Sequence, residues 1–302
     1  MAEQLRGTYP ERLTRAGAYL ASLLDDYGYP VIAPFDLFEL IRKMFAEREG
    51  KALYLREDAP TAQTYASLRT NLRKSGIIAS DRDYKSRLFR IIGSPDLPAD
   101  EITCLADPTC HLSHLSAMQR WGLTERVSNT LILTRPDRAG GAAMLQTIMT
   151  ARLGPGNDTP FPLRRISHPE TVRRRKISVY ETKLPGKWIK VRGEQTRLST
   201  IGQTFLDTLQ KPEYCGGMAH VLDVWKNNAR TYTDAIIEAV DQAETALVKS
   251  RAGYILEERL GIRDPRIEKW KALGQRGSSR KLDPSAPFAS TFSETWMISL
   301  NV

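Results

Sequence analysis

Gln63, Ser67, Thr70 and Lys74 recur at helical intervals within TAQTYASLRTNLRKSGIIASDRDYKSRLFRII, the stretch from Thr61 to Ile92. At 3.6 residues per turn they gather on one stripe, opposite Tyr65, Leu68 and Leu72. Side chains that are small or rich in donors and acceptors suit the edges of base pairs. Cations beside them suit phosphates, and Arg69, Arg73, Lys85, Arg87 and Arg90 supply these. Over residues 61–94 seven cations stand against two acids. The chemistry on offer is recognition of double-stranded DNA. The bland alternative is an amphipathic helix with a solvated charged face, followed by a surface hairpin.

A second basic block covers residues 164–197, with eleven cations against three acids. On strands, alternate residues share a side. Arg173, Arg174, Arg175, Lys176, Lys187 and Lys190 would form a second basic face that meets polyanions or remains solvated. Within this block Glu181-x-Lys183 follows a β-like run. That order occurs in metal-dependent nucleases, where carboxylates hold the ion and Lys steadies the attacking water. Asp158 is the nearest upstream acid. Three residues in a chain this charged also match by chance, and a surface Glu/Lys pair explains them.

Cys104, Cys110, His111 and His114 invite a zinc reading, but their spacing matches none of the close Cys-pair knuckles. Leu112, Leu115, Met118 and Trp121 form a helical core stripe beside them. No Gly-x-Ser-x-Gly elbow, Walker loop or Rossmann glycine run occurs. The expectation is a non-enzymatic chain without metal or cofactor.

The elements that would position the reading face begin upstream. Leu13, Ala16, Leu20, Leu23 and Leu24 predict a helix over 11–27, ended by Gly28 and Pro30. Pro34 and Asp36 open a second, carrying Leu37, Leu40, Ile41, Met44 and Phe45 and stopping near Gly50. Ala52 to Leu55 reads as a short strand. Asp58 and Pro60 lead into the polar-faced helix, which Gly76 stops. Ile77 and Ile78 start a strand, Ser80 to Asp83 turn it, and Arg87 to Ile92 return. Helix, helix, short strand, helix, hairpin is the order of a winged helix-turn-helix.

Ser94-Pro95-Asp96-Leu97-Pro98 reads as a linker. Beyond it a strand is predicted at Glu101 to Leu105, a helix at Leu112 to Trp121 and a strand at Thr130 to Thr134. A loop at Arg135 to Gly141, a helix at Ala142 to Arg152 and a loop at Gly154 to Pro162 follow. Residues 164–192 read as extended. From Thr200 the pattern is helical, through Phe205, Val224, Ile237 and Leu256, until the polar stretch Gly274 to Pro287 and a closing strand at Trp296 to Leu300. The expected fold is α+β. A winged helix-turn-helix DNA-binding domain occupies 1–94, and a larger mixed α/β domain over 99–302 ends in a helical bundle.

Bulk properties fit this outline. The 302 residues suffice for two domains, and 41% hydrophobic content supports real cores. A charge of +9 and a pI near 9.5 favour a polyanionic partner. Three cysteines cannot all pair, which points to a reducing compartment. No secretory leader or membrane span is read, so the expected setting is the cytoplasm, away from membranes.

Several ordered blocks in the second domain carry a resemblance. One runs from Leu112-Ser113-His114-Leu115-Ser116-Ala117 through Trp121-Gly122-Leu123-Thr124 to Thr134. Another runs from Thr196-Arg197-Leu198-Ser199 through Phe205-Leu206-Asp207 and Lys211-Pro212-Glu213 to Gly216-Gly217. A third is Arg251-Ala252-Gly253-Tyr254-Ile255-Leu256, with Leu260-Gly261-Ile262 behind it, and Ser293-Glu294-Thr295-Trp296 closes the series with Ser278 to Pro284. Together they resemble the AbiEi family of antitoxins from bacterial type IV toxin–antitoxin systems, which serve in phage defence. The N-terminal part matches mainly in layout, and this chain is longer and more basic between 160 and 192. The resemblance implies a transcriptional repressor that binds inverted repeats in its own promoter. It further implies antagonism of a nucleotidyltransferase-like toxin without a stable complex, and it brings no catalytic residues. The alternatives are a nuclease built on Glu181 and Lys183, or a stand-alone defence regulator without a toxin.

Overall fold

A computed structural model describes residues 13–47, 53–55, 57–154, 159–273 and 280–302. In chain order the elements are α1 (Arg15–Tyr27), β1 (Val31–Ile32), α2 (Pro34–Ala46), α3 (Ala62–Lys74), β2 (Ile78–Asp81), β3 (Lys85–Ile91) and α4 (Ala99–Ala106). Next come β4 (His111–Leu112), α5 (His114–Arg120), β5 (Thr130–Pro136), α6 (Arg138–Leu153), β6 (Thr171–Val172), β7 (Arg175–Thr182), β8 (Trp188–Lys190) and β9 (Arg197–Ser199). The last are α7 (Ile201–Gln210), α8 (Met218–Asn228), α9 (Thr233–Asp241), α10 (Ala246–Gly253), α11 (Pro265–Lys271), β10 (Phe292–Ser293) and β11 (Ile298–Ser299). The fold is α+β. Among the described residues no helix is long and apolar enough to cross a membrane.

Two compact units emerge, one of Met1–Thr109 with Pro136–Ile177, the other of Cys110–Arg135 with Ser178–Val302. This division differs from the boundary expected between 94 and 99. Residues on both sides of the proline linker pack with the N-terminal elements, and so does a later excursion of the chain. Phe161 lies against Tyr65 and Phe38, with ring centroids 3.8 and 5.4 Å away. Arg152 pairs with Asp36 at 2.7 Å and also with Glu39.

In the first unit, Thr14 caps α1 by accepting from Gly17 N at 3.1 Å, and Gly28 ends it at φ +77°. Pro34 stands at the start of α2, where its missing N–H costs nothing. Leu20, Leu37, Ile41, Met44, Tyr65, Leu72, Ile78 and Phe89 meet in one core. The sheet is antiparallel with order β1-β3-β2. Its third strand is Val31–Ile32, paired with Arg90 and Phe89, whereas Leu53 to Leu55 lie in no strand. The predicted strand at 101–105 is instead α4. Asp100 and Glu101 sit in its first turn, where the helix dipole favours acids, and Ile102, Cys104 and Ala106 are buried.

In the second unit the part of β7 beyond Ile177, then β5, β4, β9 and β8 form a mixed sheet in that order. β4 is antiparallel to β5 and parallel to β9. Helices α7 to α11 enclose a core around Phe205, Trp225, Ile237, Leu256, Trp270 and Trp296. Gly253 is required there, because a Cβ would stand 2.1 Å from the Trp296 ring. The expected helix start at residues 11–12, the stop near Gly50, Ala52, Asp158 and residues 274–279 lie outside the described residues.

Candidate nucleic-acid interface

Thr61 opens α3 with a reciprocal box. Its hydroxyl accepts from Thr64 N at 3.2 Å, and the Thr64 hydroxyl accepts from Thr61 N at 3.3 Å. Gly76, at φ +71°, follows the helix. Tyr65, Leu68 and Leu72 are buried, so the rotation of α3 about its axis is fixed by the core. Gln63, Ser67, Thr70 and Lys74 are all exposed, and so is Arg73 beside them.

The remaining phosphate candidates separate by what their cations already do. Lys85 is exposed at φ +57°, where the β2–β3 turn re-enters β3. Arg69 is half-buried with its guanidinium 5.5 Å from the Tyr65 ring centre. Arg87 is exposed, yet it donates to Tyr84 O at 3.2 Å and Ser167 O at 2.6 Å. Arg90 is half-buried and donates to Pro30 O at 2.7 Å and also to Ser94 O. It ties β3 to its neighbours, a structural role in place of the phosphate contact expected of it.

The second basic block is not one face. Residues up to Ile177 belong to the first unit and the rest to the second. The Arg173 side chain is only 5% exposed. Its Nη2 donates to Asp81 at 2.8 Å, its Nε to Asp96 at 3.1 Å and its backbone N–H to Asp83 at 3.0 Å, with Nη1 also on Asp83. Burial raises the Asp81 carboxyl, but hydrogen bonds from Arg173 and the turn, with the Arg173 charge, outweigh it and hold the group below its ordinary value. Arg174 and Lys176 are exposed, and Arg175 is half-buried. Lys187, just before β8, and Lys190, at its end, are exposed, with Lys187 3.1 Å from Glu238.

In the Glu181-x-Lys183 pair the acid is already engaged. Glu181 accepts from Arg135 Nε at 2.9 Å and Nη2 at 2.6 Å. Among the described residues it belongs to no group of three potential metal ligands, and neither do His111 and His114. Cys104 is on α4 in the first unit, while Cys110, His111 and His114 are in the second. Both imidazoles are pushed down to about 3, chiefly by burial.

The second unit gathers its own polar set, which sequence reading missed. Thr134 Oγ1 donates to Ser113 Oγ at 2.7 Å, leaving the Ser113 hydrogen for His114 Nδ1 at 2.8 Å. Asp207 accepts from Gln203 at 2.7 Å, from Ser199 at 3.2 Å and from the His114 N–H. Burial pushes its carboxyl up to about 7 despite these donors. Phe161 and the carboxylate partners of Arg173 were missed as well. Nothing local marks them, since their partners lie far away in sequence.

No protein-family model and no curated protein matches the chain. Among solved structures it is similar to the RV2827C protein from Mycobacterium tuberculosis, at 12% identity and a TM-score of 0.47. That alignment covers 97% of this chain and 94% of the other.

Proposed function

We propose that the chain is a DNA-binding transcriptional repressor of the antitoxin kind, with its first unit acting as a winged helix-turn-helix. The observation that carries this reading is the division of α3. Tyr65, Leu68 and Leu72 anchor one side, and Gln63, Ser67, Thr70 and Lys74 stand exposed along the other. The order helix, strand, helix, helix, strand, strand in the first unit supports it. A helix fits the roughly 12 Å wide major groove, where amide and hydroxyl side chains distinguish base pairs. In this reading Arg73 and Lys85 meet phosphates, and β2–β3 is the wing.

The antitoxin half of the proposal draws on the AbiEi-like blocks. They supply His114, Ser199 and Asp207, which hold one another in the second unit. The nuclease alternative would require Glu181 to leave Arg135, with which it pairs at 2.6 Å.

The test is a mobility shift on the DNA upstream of the chain's own gene, repeated across a salt series. The expected result is a retarded complex whose log affinity falls linearly with log salt, and weaker retardation of an unrelated duplex. Equal affinity for both duplexes, or no complex, overturns the reading. Co-expression with a neighbouring nucleotidyltransferase-like gene tests the second half, with growth expected to recover.

A further inference from the structure

We propose that the β6–β7 hairpin is a third element of the DNA-contacting surface. Arg173 seats it on the β2–β3 turn as a positioning residue, and Arg174 meets the phosphate backbone. This rests on the DNA-binding reading above and adds to it a segment that follows the β2–β3 hairpin by some eighty residues.

The two arginines form the tip of the hairpin, closed by the pair Val172–Arg175 with Thr171–Lys176 behind it. Both have positive φ, +48° and +67°, in a two-residue turn where Asn or Gly is the usual choice. Non-glycine residues persist in this region only where surrounding contacts over-determine them. Here the contacts are visible on one side alone. The first arginine is buried on three carboxylates, while its neighbour projects into solvent.

Those carboxylates explain why the seat matters. Asp81 and Asp83 shape the wing turn, with Asp81 Oδ1 accepting from the N–H groups of Asp83 and Tyr84 at 3.0 and 2.9 Å. Acids at the tip of a wing would repel phosphates. Arg173 neutralises them from the side, and Lys85 remains exposed on the same turn. Two further bonds fasten the approach to the hairpin: Tyr84 Oη to His168 Nδ1 at 2.7 Å, and Arg87 to Ser167 O at 2.6 Å. The exposed Arg174 therefore directly follows a residue that three carboxylates hold, an arrangement that gives a cation a fixed address.

The experiment is a double-mutant cycle in the full chain. Affinity for the upstream duplex is read by fluorescence anisotropy over a salt series. Arg174→Ala should weaken binding about fivefold at 0.15 M salt and lower the salt slope by about one, as for one lost phosphate contact. In an Arg173→Ala background the same change should have no further effect, because the hairpin has left its seat. Asp96→Asn, a milder change that removes one carboxylate from the seat, keeps the cycle open if Arg173→Ala fails to fold. It should shrink the Arg174→Ala effect without abolishing it. An unchanged slope in Arg174→Ala overturns the phosphate contact, and additive effects overturn the positioning role. Failure of the wild-type chain to bind any duplex overturns the underlying DNA reading along with this one.

Discussion

Asp81 and Asp207 are both buried aspartates, one in each unit, and their carboxyls are displaced in opposite directions. Desolvation raises both. Asp81 has a guanidinium 2.8 Å away and ends below its ordinary value. Asp207 is met by an amide, a hydroxyl and a backbone N–H, all neutral, and ends at about 7. At Asp207 desolvation outweighs the neutral donors, whereas at Asp81 the bonds from Arg173 and from the turn N–H groups, with the Arg173 charge, outweigh desolvation. The first unit has built a permanent ion cluster at its turn. The second has built a carboxyl that changes charge near neutral pH.

Removing the cation breaks the comparison most severely. Arg173→Ala leaves Asp81 buried and unpaired, so the expected loss is about 3–5 kcal/mol in denaturant unfolding. Arg174→Ala, one residue on and exposed, should stay within about 0.5 kcal/mol of wild type. Similar losses for the two would show that the clamp carries no stability. Acid sharpens the same point. Because the folded Asp81 carboxyl is depressed, its contribution is present above the ordinary carboxylate range and lost as pH falls through the lower folded value.

Asp207 has the opposite sign. Its folded value is raised from 3.8 to about 7, so between these the native chain holds a proton that the unfolded chain has released. Stability then falls as pH rises through that window, by at most about 4 kcal/mol. Asp207→Asn removes the titration. Its stability relative to wild type should climb from pH 5 to pH 8, measured by unfolding midpoints at each pH. Parallel curves would place the titrating group elsewhere.

The same contrast explains what was legible in the chain. The α3 helix could be read because its determinants are local: apolar residues at helical spacing and a stopping glycine. The seat at Arg173 could not. Its partner Asp83 lies 90 residues away, and an Arg-Arg turn carries none of the Asn-Gly chemistry that marks a tight hairpin. α4 was read as a strand because a short apolar run has no distinguishing period, and β1 is only two residues long. Nothing local marks Asp207 as buried. Its burial depends on Ser199 and His114, which arrive from other elements. Basic runs misled for a related reason: a guanidinium ending on a backbone carbonyl, as at Arg90, is indistinguishable in sequence from one that faces solvent.

The smallest effects concern the reading face, and they test whether exposed polar groups on α3 divide their labour. Gln63→Ala should relax sequence choice at one operator position, costing about 1–3 kcal/mol on the preferred duplex and little on an unrelated one. Arg73→Ala should weaken both duplexes alike and flatten the salt slope by about one, close to a fivefold change at 0.15 M salt. The two variants differ in kind because a base edge offers a pattern while a phosphate offers only charge. If Gln63→Ala and Arg73→Ala shift preferred and unrelated duplexes by the same factors, α3 does not enter the groove. Its polar stripe would then be a solvated face, and the buried clamp at Arg173 would serve stability alone.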